Sequence, residues 1–229
     1  MTSLRVALDG PGSSGKSSVG AAAAADLGYR FLDTGVLYRA ITWLSVERDI
    51  DPEDQPGLMA LIPELELVPD DQGRVRRVRV GGVDITDQLH APEVDRRVSA
   101  VSRQPMVRTA LLQTQRHMAA AGRIIVAGRD IGTVVLPDAE LKLYLEVSVD
   151  ERARRRAAER DLTPDSPAAL AILADLQRRD HIDSSREVAP LRVADDAVVV
   201  RSDGREFEAT VAEVVRLIRE REARERTDP

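Results

Sequence analysis

Residues 10–18, GPGSSGKSS, hold the densest chemistry in the chain. Gly10, Pro11, Gly12, Ser13, Ser14, Gly15, Lys16 and Ser17 match G-x-x-x-x-G-K-[ST] at every fixed position, and Ser18 extends the run. Glycines let the backbone curl so that successive N–H groups converge on a phosphate. A helix starting there adds partial positive charge. Lys16 is a compact ammonium that reaches β- and γ-phosphates, which a planar guanidinium does poorly. Its identity is selective, because of 33 basic residues only Lys16 and Lys142 are lysines. The Ser17 hydroxyl can serve Mg2+. A bare glycine–serine turn is the bland alternative, and the neighbouring elements decide against it: a strand precedes the run and a helix follows.

A phosphate cradle leaves the receiver of the phosphoryl group open. A guanine-reading Asn-Lys-x-Asp is absent, and a motor ATPase would normally be larger. Arginines stand next to turns at Arg39, Arg108, Arg129, Arg179 and Arg186. Arginine forks match phosphate oxygens, so this set suggests a second anionic substrate. For any one of them an arginine-rich surface is the favoured explanation, and for the set the flanking motifs decide. Other chemistry is excluded more firmly. Without cysteine there is no disulfide, thiolate or Cys-type zinc site, and a reducing cytoplasm is expected. His90, His117 and His181 have no metal-ligand spacing. A net charge of −6 argues against general nucleic-acid binding. No apolar run suits a membrane span, and MTSLRVALDG has no secretory pattern.

The elements that must position these groups read as α/β. LRVAL (4–8) is strand-like and ends at Asp9-Gly10; residues 15–27 form an alanine-rich helix; residues 29–32 form a second strand. Asp33 or Thr34 is expected to cap a helix through Val46. Residues 51–92 hold five prolines and the alternating runs LELVP and RVRRVRV around DDQG, a small β insertion with a hairpin. Residues 93–121 return to helical periodicity, broken at Pro105. Further strands are expected at 123–128, 141–147 and 196–200, and further helices at 150–160, 166–180 and 206–224, with a fraying charged tail. Strand–loop–helix alternation implies a parallel sheet between helical layers.

FLDTGVLYR (31–39), SAVSRQPMVR (99–108), GRDIGTVVLPDAELKLYL (128–145) and RRDHIDSSREVAPL (178–191) together resemble bacterial cytidylate kinases, in order and spacing, over about Val6 to Val200. The resemblance implies a P-loop three-layer fold: a central parallel five-stranded sheet, a small β-containing NMP-binding insertion and a helical lid. It implies a core of residues 1–50, 93–149 and 178–224, an insertion of 51–92, a lid of 150–177 and a tail of 225–229. It further implies phosphorylation of CMP and dCMP by ATP with Mg2+, in-line, assisted by Lys16, Arg129 and Arg186. Thr34, Tyr38 and Arg39 match the segment framing the acceptor. Arg129 and Arg186 match phosphate clamps, Ser99, Arg108 and Asp130 the cytosine readers, and Arg179 and Asp183 the ribose contacts. The chemistry agrees, since a carboxylate accepts from the 4-amino group of cytosine and faces the 4-oxygen of uracil acceptor to acceptor.

Residues 150–162 match the lid, where Arg154, Arg155 and Arg156 are candidates to close on the triphosphate. Arg155 is assigned to ATP, and Arg152 is read as part of a solvated face. Two positions depart from the family. Ala127 stands where an acidic residue is usual before Gly-Arg-Asp, so either Asp9 or Asp33 is expected to serve the metal's water or a weaker metal affinity is expected. Arg201-Ser202-Asp203 replaces Asp-Thr-Ser after the last strand, which touches contacts near the donor base. A monomer with ATP and CMP or dCMP as its partners is expected, without nucleic acid or membrane. A kinase for another acceptor such as UMP, and a nucleotide-binding regulator without turnover, remain as other readings.

Overall fold

The structure, a computed structural model, describes residues 4–227; the first three residues and the last two of the tail lie outside the described residues. Five parallel strands form the central sheet in the order β2-β6-β1-β7-β8: β1 Arg5–Asp9, β2 Arg30–Asp33, β6 Ile124–Gly128, β7 Leu141–Glu146 and β8 Val198–Arg201. Near-continuous apolar runs suit the central strands β1 and β6, which are covered on both faces, whereas the edge strand β8 buries only Val200. Val6 and Leu8 of β1 join Ile125 and Ala127 of β6 on one face, with Val19, Ala23 and Ala24 of α1 (Lys16–Leu27) and Val214, Val215 and Ile218 of α8 (Phe207–Thr227). Ala7 and Val126 point the other way, beneath Leu112 and Ala119 of α5 (Pro105–Ala119). Gly20 lets α1 lie close to the sheet, since a Cβ there would stand 2.6 Å from the Phe31 ring. Overpacking of that kind costs about 1–3 kcal/mol.

Helices α2 (Gly35–Glu47) and α4 (Pro92–Ser102) flank the insertion and share a second core with α5, in which Ile41, Leu58, Val101 and Val107 are buried. The hairpin expected around DDQG is present as β3 (Leu65–Pro69) and β4 (Val75–Val80), antiparallel, with the short β5 (Val83–Asp84) beside β4. The prolines conceal one element, helix α3 (Gln55–Leu61). Pro56 sits in its first turn, where a missing N–H costs nothing, and Asp54 caps it by accepting from Gly57 N at 3.0 Å.

Helices α6 (Val149–Ala158) and α7 (Pro167–Ser185) form a hairpin closed by Ala153, Ala157, Ile172 and Leu176. Ser148 and Ser166 cap their starts, each contributing about 1 kcal/mol. Helix α7 continues past residue 180 and carries RRDHIDSS in its last turns, so the expected lid limit at residue 177 falls inside it. Helix α8 likewise runs to Thr227 instead of fraying at residue 225. Its end is tied down because the Tyr29 hydroxyl donates to buried Glu222 at 2.7 Å, and Arg221 lies 3.6 Å from Glu225. Among the described residues no helix is long and apolar enough to cross a membrane.

Candidate active site

Every strand of the sheet delivers its carboxyl end to one side, the usual place for a ligand in an open α/β sheet. A cavity of about 280 Å3 opens there. Strand β1 runs straight into residues 10–15, and α1 starts at Lys16. The loop needs left-handed backbone at Ser13 (φ 57°) and Gly15 (φ 87°). The Lys16 side chain folds back, its Nζ donating to Pro11 O at 3.1 Å. Burial and then the charge of Arg129 hold the Lys16 ammonium well below its ordinary range. A polyanion beside it would reverse both penalties. Ser14 Oγ is buried without a hydrogen-bond partner, an unanswered donor facing the same cavity.

The first three loop residues act through carbonyls. Gly10 O accepts from Arg129 Nη1 at 3.2 Å, and Gly12 O accepts from Arg152 Nη1 at 2.8 Å. Cations thus pin the back of the loop, leaving Ser13 to Ser18 to line the cavity.

Opposite lies a cluster of side chains drawn from separate elements. Arg108 of α5 and Arg186, at the end of α7, both donate to buried Asp130, Arg186 Nη2 at 3.3 Å from Oδ1. Arg108 also stacks 5.6 Å from the Tyr38 ring centroid. Arg129 donates to Asp183 at 2.8 Å. Burial pushes the Asp183 carboxyl up, but Arg129 outweighs it and holds it below the usual range. Thr34, Tyr38, Arg39, Ser99, Arg108, Arg129, Asp130, Arg155, Arg179, Asp183 and Arg186 all line the cavity, so the sequence-predicted set is gathered in one place.

Two pairs of alternatives are separated by their local contacts. Of the two residues expected to cap α2, Asp33 does so with its side chain, accepting from Gly35 N at 2.8 Å, while the Thr34 hydroxyl donates to Ala127 O at 2.9 Å. Asp9 and Asp33 are also separated. Asp9 spends both oxygens on the N–H groups of Ile131 and Gly132, each at 2.8 Å, in a single π-helical turn. Asp33 lines the cavity and is the register partner of Ala127 on the adjacent strand.

Arg152 is the clear correction. Expected on a solvated face, it is 3% exposed, donating to Gly12 O and to Asp180 Oδ2 at 2.5 Å. Among the lid candidates, Arg154 turns outward to Glu151. Arg155 reaches Ser202 O, and Arg156 approaches Asp95 at 3.3 Å. Helical spacing held the signal, since Arg152, Arg155, Arg156 and Glu159 share one face at i, i+3, i+4 and i+7. The Arg201-Ser202-Asp203 departure now has a local role, because Asp203 accepts from Ser148 N at 3.1 Å at the base of the same helix. Asp95 was missed altogether. It lies one turn before Ser99 on α4, and that i, i+4 spacing was the available clue.

Mg2+ fits these residues. Ser17 and Asp33 are hard oxygen donors on the donor side of the cavity. Among the described residues no group of three or more His, Cys, Asp or Glu could hold a metal alone.

Comparison with known proteins follows this geometry. Residues 6–220 match the family model described as cytidylate kinase. A cytidylate kinase from Geobacillus sp. (strain WCH70) is 39% identical over 95% of this chain and 97% of that protein. A bifunctional pantoate ligase/cytidylate kinase from Synechococcus sp. (strain RCC307) is 47% identical over 94% of this chain but 42% of its own length. The chain thus spans less than half of the bifunctional relatives it matches. A gluconokinase from Sinorhizobium meliloti 1021 aligns over 98% of this chain and 97% of its own, with TM-score 0.51 at 16% identity, a likeness of fold alone. The chain belongs to the cytidylate kinase family.

Proposed function

We propose that the chain phosphorylates CMP and dCMP with ATP. The observation that carries this reading is a P-loop and a buried arginine–carboxylate cluster opening on one cavity. The triphosphate lies on Gly10 to Ser18, its oxygens answered by backbone N–H groups, Ser14 and Lys16. Arg39, Arg129 and Arg186 hold the acceptor phosphate, with Thr34 and Tyr38 framing it. Arg179 and Asp183 meet the ribose. Asp130, already held by Arg108 and Arg186, accepts from the 4-amino group, while Arg108 and Ser99 meet the remaining ring edge.

An acceptor phosphate oxygen attacks the γ-phosphorus in line, a new P–O bond forms, and the bond to the β-phosphate oxygen breaks, releasing ADP. The attacking oxygen is already ionised near neutrality, so the site needs no strong general base. Catalysis is positioning plus charge neutralisation by Lys16, Arg129 and Arg186. Mg2+, when bound with ATP, adds positive charge at the β- and γ-oxygens, and Ser17 and Asp33 are the residues that would hold it and its water. Residues 150–177 act as a lid, through Arg155, that excludes water, and residues 51–92 shape the acceptor side. The lack of cysteine suits work in a reducing cytoplasm.

An ADP-release assay with CMP, dCMP, UMP, AMP and GMP tests the reading. Turnover should concentrate on CMP and dCMP. UMP turnover equal to CMP, or tight ATP binding without turnover on any monophosphate, would overturn it.

A further inference from the structure

Asp95 sits where four guanidinium groups meet. Arg39 of α2 donates to its Oδ1 at 2.8 Å, and Arg179 of α7 lies 3.5 Å from the same oxygen. Arg156 of α6 and Arg160, in the turn that follows it, lie 3.3 and 3.6 Å from Oδ2. Burial pushes the Asp95 carboxyl up, but Arg39, Arg179 and Arg156 outweigh it and hold it below the ordinary range, so it is an anion. Arg39 is doubly committed, because its other terminal nitrogen donates to Leu89 O at 2.8 Å. It cannot present a free fork to a phosphate while both contacts stand.

On the reading of the site given above, we propose that the Asp95 carboxylate is an internal competitor for the acceptor's phosphate. It holds Arg39, with Arg156 and Arg179 gathered beside it, and yields Arg39 when a phosphate arrives. Carboxylate and phosphate oxygens suit the same guanidinium forks. A phosphate monoester carries close to two negative charges at neutral pH against one for Asp95, so the exchange favours the phosphate. Without an anion, several like charges in a half-buried site would repel one another. Asp95 therefore keeps the arginines assembled at the cost of acceptor affinity. Because α6 and the turn after it reach Asp95 through Arg156 and Arg160, the exchange also loosens a tie between lid and core. A nucleoside lacking the phosphate cannot make the exchange, so Asp95 is a positioning residue that tempers the binding of monophosphates and leaves that of nucleosides untouched.

Calorimetric titration of CMP, inorganic phosphate and cytidine into the wild type, Asp95→Asn and Asp95→Glu tests this. In Asp95→Asn the free protein should melt lower, while CMP and phosphate bind on the order of five- to tenfold tighter. Cytidine should bind unchanged, and Asp95→Glu should stay near the wild type. Asp95→Ser carries the same expectation if the amide variant does not fold. Equal or weaker binding of phosphate and CMP by the neutral variants would overturn the inference. Failure of the wild type to bind CMP would strike the proposed function instead, and the phosphate titration would still decide the role of Asp95.

Discussion

The glycine-rich loop and the arginine–carboxylate cluster, assigned above to donor and acceptor, face each other across one cavity and are built on opposite plans. The loop is local: nine consecutive residues, backbone N–H groups and one ammonium held by a contact within the loop itself. The cluster is dispersed: Arg39, Asp95, Arg108, Asp130, Arg179 and Arg186 come from α2, α4, α5, the segment after β6, and α7 with its end. A local cradle concentrates its chemistry in single groups. A dispersed cluster shares charge among many and depends on the fold to bring them together. Substitutions on the two sides should therefore fail differently.

The largest loss belongs to the donor side. Lys16→Met should lower kcat with CMP on the order of 100- to 1000-fold. It should leave the thermal melt at or above the wild type, since the buried ammonium makes one hydrogen bond, to Pro11 O. A loss under tenfold would mean that the neighbouring arginines replace it. Next comes Arg152→Met, which removes the pin on Gly12 O and leaves Asp180 without its partner. Urea unfolding should report about 3 kcal/mol of destabilisation, and the KM for ATP should rise.

A smaller effect concerns the floor beneath the loop. Burial, outweighing the N–H donors of Gly132 and Ile131, pushes the Asp9 carboxyl up to about 6 from 3.8. The folded chain then binds this proton more tightly than the unfolded chain. The group's contribution to stability is complete below pH 4 and is lost as pH rises through about 6. Denaturation of wild type against Asp9→Asn between pH 4 and 7 should give a difference falling by about 2–3 kcal/mol as pH rises. A rising difference would mean that the two N–H donors dominate. Least of all, Arg154→Gln should change stability by less than about 0.5 kcal/mol, because Arg154 is exposed and its ion pair is to Glu151 on its own helix.

The same contrast explains what could be read from the sequence. The P-loop, the five strands and the hairpin announce themselves within short windows, through fixed spacing, apolar runs and turn residues. The acceptor arginines could be singled out only beside recognisable motifs. Asp95 carries no motif beyond its i, i+4 spacing to Ser99, and its meaning comes from three helices that converge on it. Arg152 looked solvated because its neighbours are charged; its burial depends on Gly12, 140 positions away. Helix α3 was masked by prolines that read as breakers but serve as helix starts. Distance along the chain, more than weak patterning, set the limit.

The ratio of kcat/KM for CMP over UMP, measured in the wild type and in Asp130→Asn, tests the central claim most directly. A carboxylate aimed at position 4 of the base should discriminate by about 1–3 kcal/mol, roughly five- to 150-fold. The amide, which can donate as well as accept, should erase most of that ratio. Equal use of CMP and UMP by the wild type, or an unchanged ratio in the variant, would contradict the account.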